Sequence, residues 1–251
     1  MSRRRSRATE EDGPPSERKT GRLILVATPI GNLADLSERA IQTLGEVDHW
    51  IVEDTRVSGK LQSHLGIRKP MRVLSDHTPD PQIGRYLEEL RGGATAALLT
   101  DGGAPAVSDP GAILCDLCHE AEVEVAAVPG PSAVTTALML SGFFAQRFCF
   151  LGFLGKKEGA IRTELQPFRD SPITLVLFES PFRTETLLRV AGEALGQRRY
   201  AVCREMTKLY EQVFRSAFPH VPTERELPRK GEVTVVIEGR RRSRAEATDL
   251  A

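Results

Sequence analysis

A glycine-rich segment at residues 100–111, TDGGAPAVSDPG, contains residue types that bind small ligands. It follows an apolar run at residues 96–99, which is typical of a buried parallel strand, and it leads through Ser108-Asp109-Pro110 into a helix start. Its glycines let a ligand approach the backbone, and the Asp101 carboxylate accepts hydrogen bonds from hydroxyl or amino groups. Open α/β sheets bind ligands at the carboxyl ends of their strands, so the segment indicates a ligand site. An ordinary strand-to-helix loop is the alternative.

Four more loops of this character follow other predicted strands: TPIGN at residues 28–32, EDTR at 53–56, PGPS at 129–132 and ESPFR at 179–183. Parallel strands end at the same edge of a sheet, so these loops are expected to converge and to favour the ligand site. The sequence contains neither G-x-G-x-x-G after a strand nor G-x-x-x-x-G-K-[ST]. A dinucleotide site of the usual kind and a P-loop nucleotidase are therefore disfavoured.

Segments of strand length alternate with segments of helical periodicity, which predicts the α/β class with mostly parallel sheets. Predicted strands occupy residues 23–27, 49–52, 72–74, 95–99, 123–128, 148–151, 173–178, 200–204 and 232–237, with 209–215 as a further candidate. Predicted helices occupy residues 36–44, 59–65, 83–90, 113–120, 133–140, 158–168 and 184–195.

The length of 251 residues is sufficient for two domains of ordinary size. We predict two α/β domains at residues 21–133 and 134–239, with the binding site in the cleft between them. Residues 1–20 and 240–251 are polar and rich in arginine, and we predict that they are disordered tails.

Composition sets limits on partners and location. The 34 basic side chains balance 34 acidic ones, so a nucleic-acid partner would need a local basic patch. No apolar run approaches the roughly 20 residues of a membrane helix, and no secretory signal is evident, so we expect a cytoplasmic protein. Cys115-x-x-Cys118-His119 has the spacing of a haem attachment site, but helical periodicity predicts that both cysteines lie on a helix face. We expect no metal.

Several motifs together resemble one family. ATPIGNLADLSERA at residues 27–40, VEDTR at 52–56, DGGAPAVSDPG at 101–111, VPGPSA at 128–133, FLGFLGKK at 150–157, FESPFR at 178–183, REMTK at 204–208 and KGEVTVVIEG at 230–239 occur in family order. This set resembles the ribosomal RNA small-subunit methyltransferase I family of the tetrapyrrole methylase superfamily. The resemblance implies two αβα domains with S-adenosylmethionine (SAM) between them, a homodimer, and 2′-O-methylation of a cytidine ribose in the decoding centre of 16S ribosomal RNA in the small ribosomal subunit. It implies neither a membrane nor DNA as a partner.

The resemblance also implies roles for individual residues. The residues implied to bind SAM are Thr28, Pro29, Gly31, Asp101, Gly103, Ala104, Ser132, Ala133, Phe178, Glu232 and Val233. Those implied to face the RNA are Glu53, Arg56, Lys156, Lys157, Arg183, Arg204, Glu205 and Lys208.

Transfer of a methyl group to a ribose oxygen benefits from a base that removes the hydroxyl proton. Many members of the family have a histidine in the ESP-x-R motif, where this chain has Phe182. Glu179 and Asp54 are the candidate bases, and for each the alternative is an orienting hydrogen bond or a salt bridge to Arg183 or Arg56. Lys208 is a third candidate if it is desolvated, although a phosphate contact is the favoured interpretation.

Two other functions are compatible with the same pattern. A methyltransferase acting on a tetrapyrrole or another small molecule would use the same fold. A non-catalytic RNA-binding or ribosome assembly factor could also retain it. The basic residues near the predicted cleft favour RNA over a small molecule, and the intact glycine and proline loops disfavour the non-catalytic factor.

Overall fold

Two five-stranded β-sheets with helices on both faces make up the structure. The computed structural model describes residues 21–241, so the predicted tails at 1–20 and 242–251 lie outside the described residues. Arg240 was included in the second tail, but its backbone N–H donates to the carbonyl of Ser171 at 2.8 Å. In the described part, no helix is long and apolar enough to cross a membrane.

The first sheet has the strand order β3-β2-β4-β1-β5, and every pairing is parallel. Its strands are β1 (Arg22–Val26), β2 (His49–Val52), β3 (Met71–Val73), β4 (Thr95–Leu99) and β5 (Glu124–Val128). Its helices are α1 (Glu38–Glu46), α2 (Thr55–Leu65), α3 (Asp80–Arg91) and α4 (Gly111–Glu120).

Each face of the first sheet buries one apolar layer. Helices α1 and α2 pack on one face through Leu44 and Leu61, and α3 and α4 pack on the other through Leu90 and Leu114. Cys118 is fully buried in the second of these layers, so it is a core residue of α4. This burial on both faces explains why the strands read as continuous apolar runs in the sequence.

The second sheet has the order β6-β7-β10-β8-β9. Its strands are β6 (Phe148–Phe153), β7 (Thr174–Glu179), β8 (Arg199–Arg204), β9 (Gln212–Ala217) and β10 (Val233–Ile237). Helix α5 (Ala133–Ser141) covers one face, while α6 (Glu158–Leu165) and α7 (Thr184–Leu195) cover the other. The sheet differs from the mostly parallel arrangement predicted, since only β6 and β7 pair in parallel.

The antiparallel pairings have a simple cause. A turn at residues 205–211 connects β8 directly to β9, and a short connection of this kind joins antiparallel strands. Strand β10 then inserts between β7 and β8 and runs antiparallel to both. The carboxyl ends of β6, β7 and β8 consequently share an edge of the sheet with the amino ends of β9 and β10.

Trp50 is an anchor of the first core. Its side chain is fully buried, and the indole N–H donates to the carbonyl of Leu44 at 2.9 Å. Replacing Trp50 by phenylalanine is expected to lower the free energy of unfolding by about 1–3 kcal/mol, because the Leu44 carbonyl loses its partner in a buried site. Denaturant unfolding monitored by far-ultraviolet circular dichroism measures this change, and an unchanged midpoint would contradict it.

Candidate active site

A cavity of about 880 Å3 opens where the edges of the two sheets meet. Its wall includes the loops that follow β1 and β4, the start of α5, the end of β7 and the amino end of β10. All eleven residues that the resemblance assigned to SAM lie on this wall: Thr28, Pro29, Gly31, Asp101, Gly103, Ala104, Ser132, Ala133, Phe178, Glu232 and Val233. Four of the five predicted loops therefore converge on one space, and the loop at residues 53–56 contributes no residue to its wall. Three of these four loops follow strands of the first sheet, and the fourth follows β7 of the second.

The floor of the cavity is a short backbone bridge between the loops after β1 and β4. The N–H of Thr28 donates to the carbonyl of Gly103 at 2.9 Å, and the N–H of Gly103 donates back to the carbonyl of Thr28 at 3.0 Å. Gly103 has φ of +98°, which side chains rarely tolerate. The glycine at this position of the DGG sequence is therefore required by the bridge itself.

The loop after β1 also contacts the turn after β8 from the other sheet. The N–H of Asn32 donates to the hydroxyl of Thr207 at 3.1 Å. A Cβ atom on Gly31 would lie 2.5 Å from Cγ of Lys208 and 2.9 Å from the carbonyl oxygen of Met206. These distances leave no room for a side chain, so Gly31 permits the two walls of the cavity to meet here.

Replacing Gly31 by alanine is expected to destabilise the protein by about 1–3 kcal/mol, because the added methyl group must displace the backbone of the facing turn. Replacing Gly59 by alanine is the matched control: a Cβ there meets nothing within 4 Å in the interior of α2. The control is expected to stabilise by about 0.4–1 kcal/mol. Equal unfolding midpoints for the two variants would contradict the close approach at Gly31.

One wall of the cavity is acidic. Burial, together with the neighbouring charge of Asp54, raises the pKa of Asp101 above its ordinary value. Glu53 lies behind this wall, where it accepts a hydrogen bond from the hydroxyl of Thr100 at 3.2 Å, and burial and Asp101 raise its pKa as well. Burial and neighbouring carboxylates both disfavour the ionised forms of Asp101 and Glu53, and a positive charge would favour them, so this wall favours a cationic ligand.

Glu179, at the end of β7, has one carboxylate oxygen that is buried without a hydrogen-bond partner in the described part of the chain. Its side chain lies on the cavity wall and the residue is only 3% exposed. Oε1 accepts a hydrogen bond from the N–H of Ser180 at 2.7 Å, but Oε2 has no hydrogen-bond partner among residues 21–241. Burial raises the pKa of Glu179, although the Ser180 N–H and the charge of Arg183 act in the opposite direction.

Arg183 lies beside this carboxylate but donates its hydrogen bonds to backbone carbonyls. Its Nη2 atom is 3.2 Å from Oε2 of Glu179, an ion-pair distance, yet its hydrogen bonds go to the carbonyls of Leu154 and Gly155, also at 3.2 Å. The two side chains form an ion pair, while Oε2 has no hydrogen-bond partner among the described residues. Arg183 thereby ties the loop after β6 to the end of β7.

Asp54 is engaged differently. It is the N-cap of α2, where its carboxylate accepts the N–H of Arg56 at 2.7 Å, and it also binds the Arg56 guanidinium. Hydrogen bonds from Arg56 lower the pKa of Asp54 to about 2. Asp54 is not among the residues that line the cavity. The salt-bridge interpretation of Asp54 therefore agrees with the geometry better than that of a base.

Lys208 lies on the cavity wall and is paired with two carboxylates. It donates to Glu205 at 2.9 Å and to Glu232 at 3.0 Å. Burial acts to lower the pKa of Lys208, but the two hydrogen-bonded carboxylates outweigh it and the pKa is raised. Lys208 therefore carries its positive charge at neutral pH and cannot serve as a proton acceptor there.

The residues that the resemblance assigned to RNA fall into two groups. Arg56, Lys156 and Lys157 are exposed. Arg204 is buried and donates to the carbonyls of Tyr210 and Lys230, and Glu205 accepts the N–H of Glu232 at 2.9 Å. Together with Glu53, Arg183 and Lys208, these buried or partly buried residues are engaged inside the protein, where they hold the loops around the cavity.

Part of the cavity wall lies outside the residues predicted from the sequence. Helix α2 contributes Val57, Ser58, Lys60 and Leu61, and the strand end of β6 contributes Phe153. Leu61 is also buried in the core, so its apolar character alone gave no sign of a second role. A search confined to loops after strands cannot find residues on the first turns of a helix.

Comparison with known proteins identifies the family. A family model described as tetrapyrrole (corrin/porphyrin) methylases matches residues 22–222. The ribosomal RNA small subunit methyltransferase I of Haemophilus influenzae is 40% identical over 228 residues, covering 89% of this chain and 81% of that protein. The protein of the same name from Thermotoga maritima is 39% identical and is covered over 99% of its length. The chain belongs to the ribosomal RNA small subunit methyltransferase I family.

A solved structure supports the fold of this methyltransferase family. Uroporphyrin-III C-methyltransferase from Thermus thermophilus, complexed with S-adenosylhomocysteine, superposes with a TM-score of 0.60, covering 87% of this chain and 97% of that chain at 20% identity. At this identity the likeness shows the fold alone. The expected methylase fold and family are thus confirmed.

Proposed function

We propose that this protein transfers the methyl group of SAM to the 2′-hydroxyl of a cytidine ribose in the decoding centre of 16S ribosomal RNA, with Glu179 as the base. The observation that carries the proposal is that Glu179, a buried residue on the cavity wall, has a carboxylate oxygen, Oε2, with no hydrogen-bond partner among residues 21–241. The names of the related proteins support ribosomal RNA of the small subunit as the substrate. The sequence resemblance supports the ribose of a cytidine as the acceptor.

The cavity suits SAM in shape and charge. Its volume lies within the range of ligand sites, and the bridge at Gly103 leaves backbone open to a close approach. The acidic wall at Asp101 complements a ligand that carries a sulfonium and an ammonium group. A fold neighbour was solved with S-adenosylhomocysteine. When bound, SAM supplies an electrophilic methyl group.

Glu179 would accept the ribose hydroxyl proton at Oε2. The N–H of Ser180 binds Oε1, which leaves Oε2 as the oxygen without a hydrogen-bond partner within residues 21–241. Burial raises the pKa of Glu179, which makes its carboxylate a stronger base than that of an exposed glutamate. The low pKa of Asp54 and the positive charge of Lys208 make these two residues less suitable as bases, which supports Glu179 among the three candidates.

The exposed cations near the cavity would bind the RNA backbone. Lys156 and Lys157 follow the loop that Arg183 fixes, and Arg56 begins α2, which itself lines the cavity. Phosphate contacts of this kind position an RNA without reading its sequence. We propose that Glu53, Arg204 and Glu205 act from within the protein by holding the loops in place.

The remaining expectations form part of the same proposal. We propose that the protein acts in the cytoplasm as a homodimer, and that a boundary at residues 133–134 separates its two domains. Helix α5 supports this boundary, because Val134, Ala137 and Leu138 pack on the second sheet.

A substrate comparison tests the proposal. Two reactions are run in parallel, both with the protein and methyl-labelled SAM. One contains small ribosomal subunits that lack the modification, and the other contains uroporphyrinogen. Label in the RNA alone is the expected result. Label in the tetrapyrrole would favour the small-molecule methyltransferase, and label in neither would favour the non-catalytic factor.

A further inference from the structure

The strand end of β6 carries an exposed aromatic ring at the mouth of the cavity. Phe153 lines the cavity and is 63% exposed, although phenylalanine usually lies inside a protein. One part of the ring rests against Phe178, with centroids 5.6 Å apart and planes at 58°. The other part has no partner among residues 21–241 that buries it. The ring is therefore held from one side and open on the other.

A β-bulge determines the direction of this ring. Phe150 pairs with Val176 and Phe153 pairs with Phe178, so three residues of β6 correspond to two of β7. Side chains alternate between the two faces of a strand, so without the extra residue Phe153 would point to the face opposite Phe150. With the bulge both rings contact Phe178 on the same face.

The bulge lies close to the other wall of the cavity. Gly152 has φ of +62°, and a Cβ atom on it would lie 3.4 Å from the hydroxyl of Ser108 in the loop after β4. Phe153 thus stands where the two walls approach each other. Glu179 also lines this cavity, so the open ring and the proposed base border the same space.

Positive charge continues from the ring along the chain. Lys156 and Lys157 are exposed, and Arg183 holds the intervening Leu154 and Gly155 through their carbonyls. An aromatic ring with cations beside it is the combination that binds unpaired nucleic-acid strands, where bases stack on the ring and phosphates meet the cations. A ribose within a stacked helix could not reach a carboxylate as buried as that of Glu179 unless its nucleotide were displaced.

We propose that Phe153 is a stacking platform for the base of the displaced target nucleotide, which places the ribose hydroxyl near Glu179. This inference rests on the proposed function and assigns a positioning residue to it. Phenylalanine has no hydrogen-bonding group, so the ring contributes affinity and position while leaving base identity to other contacts.

The test compares ring-removing and ring-retaining variants of the full chain. Phe153→Leu is expected to raise the KM for unmodified small ribosomal subunits by roughly 5- to 150-fold, the range of one lost base stack. Phe153→Tyr and Phe153→Trp are expected to restore a KM close to that of the unmodified protein. SAM affinity, measured by calorimetry without RNA, is expected to be the same in all three variants.

Phe144→Leu is the matched control, because Phe144 is also an exposed phenylalanine and does not line the cavity. A Phe153→Leu variant that behaves like this control overturns the inference while the proposed function stands. Loss of SAM affinity in Phe153→Leu would overturn it too, since the ring would then contact the cofactor. If the protein without any substitution labels no RNA, the proposed function is refuted, and the stacking role is refuted with it.

Discussion

Replacing Glu179 by glutamine is expected to slow methyl transfer to ribosomal RNA by about 10²- to 10⁴-fold, the contribution typical of a general base. Glutamine has nearly the shape of glutamate but cannot accept the ribose proton. SAM affinity is expected to be unchanged, because the substitution keeps the hydrogen bond from Ser180 to Oε1. Single-turnover rates and calorimetric SAM binding, measured on the same samples, separate the two effects.

The pH dependence gives the same substitution a second readout. The base must be ionised to act, and burial raises the pKa of Glu179. The rate of the unmodified protein is therefore expected to fall on acidification with a midpoint above the ordinary glutamate value of 4.5. This acidic limb should be absent from the residual activity of Glu179→Gln.

Glu185→Gln is the matched control for Glu179→Gln. Glu185 lies on α7, is exposed and pairs with Arg229, and it does not line the cavity. Its substitution is expected to leave rate and pH profile unchanged. If Glu179→Gln retained the rate of this control, the role of Glu179 as base would be wrong.

Replacing Asp101 by asparagine is expected to weaken SAM binding by roughly 10- to 150-fold, the loss that corresponds to about 1.5–3 kcal/mol for a hydrogen bond to a charged group. Asp101 lies on the acidic wall, where burial and the charge of Asp54 raise its pKa. Asparagine preserves the shape of the loop and removes the charge. Calorimetric titration with SAM measures the effect directly.

Asp116→Asn is the control for this substitution, since Asp116 is exposed on α4 and lies outside the cavity wall. Its SAM affinity is expected to equal that of the unmodified protein. The unfolding midpoint of both variants should be measured too, because a loss of fold would also reduce binding. Unchanged affinity in a folded Asp101→Asn variant would remove Asp101 from the cofactor site.

Local sequence patterns predicted the elements of the first sheet well. The strand at residues 49–52 and the strand at residues 95–99 agree with β2 and β4 at both ends, because strands buried on two faces read as unbroken apolar runs. Helix α7 also agrees at both ends. The second sheet was harder, since periodicity within a strand carries no information on the direction of its neighbour. The insertion of β10 between β7 and β8 joins residues far apart in sequence.

The candidate site shows the same division between local and long-range information. The glycines that a loop requires locally, such as Gly103, were evident from the sequence. The roles of polar residues were not, because a buried Arg204 that binds backbone carbonyls looks like an exposed cation in the sequence. Phe153 was missed because only a bulge in β6 turns it toward the cavity. The sequence does not show which partner a charged side chain will have, because that partner is set by contacts between distant parts of the chain.

The identity of the methylated nucleoside tests the central claim most directly. Small ribosomal subunits lacking the modification are incubated with the protein and methyl-labelled SAM, and the RNA is then digested to nucleosides and analysed by mass spectrometry. We predict a single labelled product, 2′-O-methylcytidine, which is formed by the unmodified protein and Glu185→Gln and is nearly absent with Glu179→Gln. Label on the base of any nucleoside, or equal yields from Glu179→Gln and Glu185→Gln, would contradict the account.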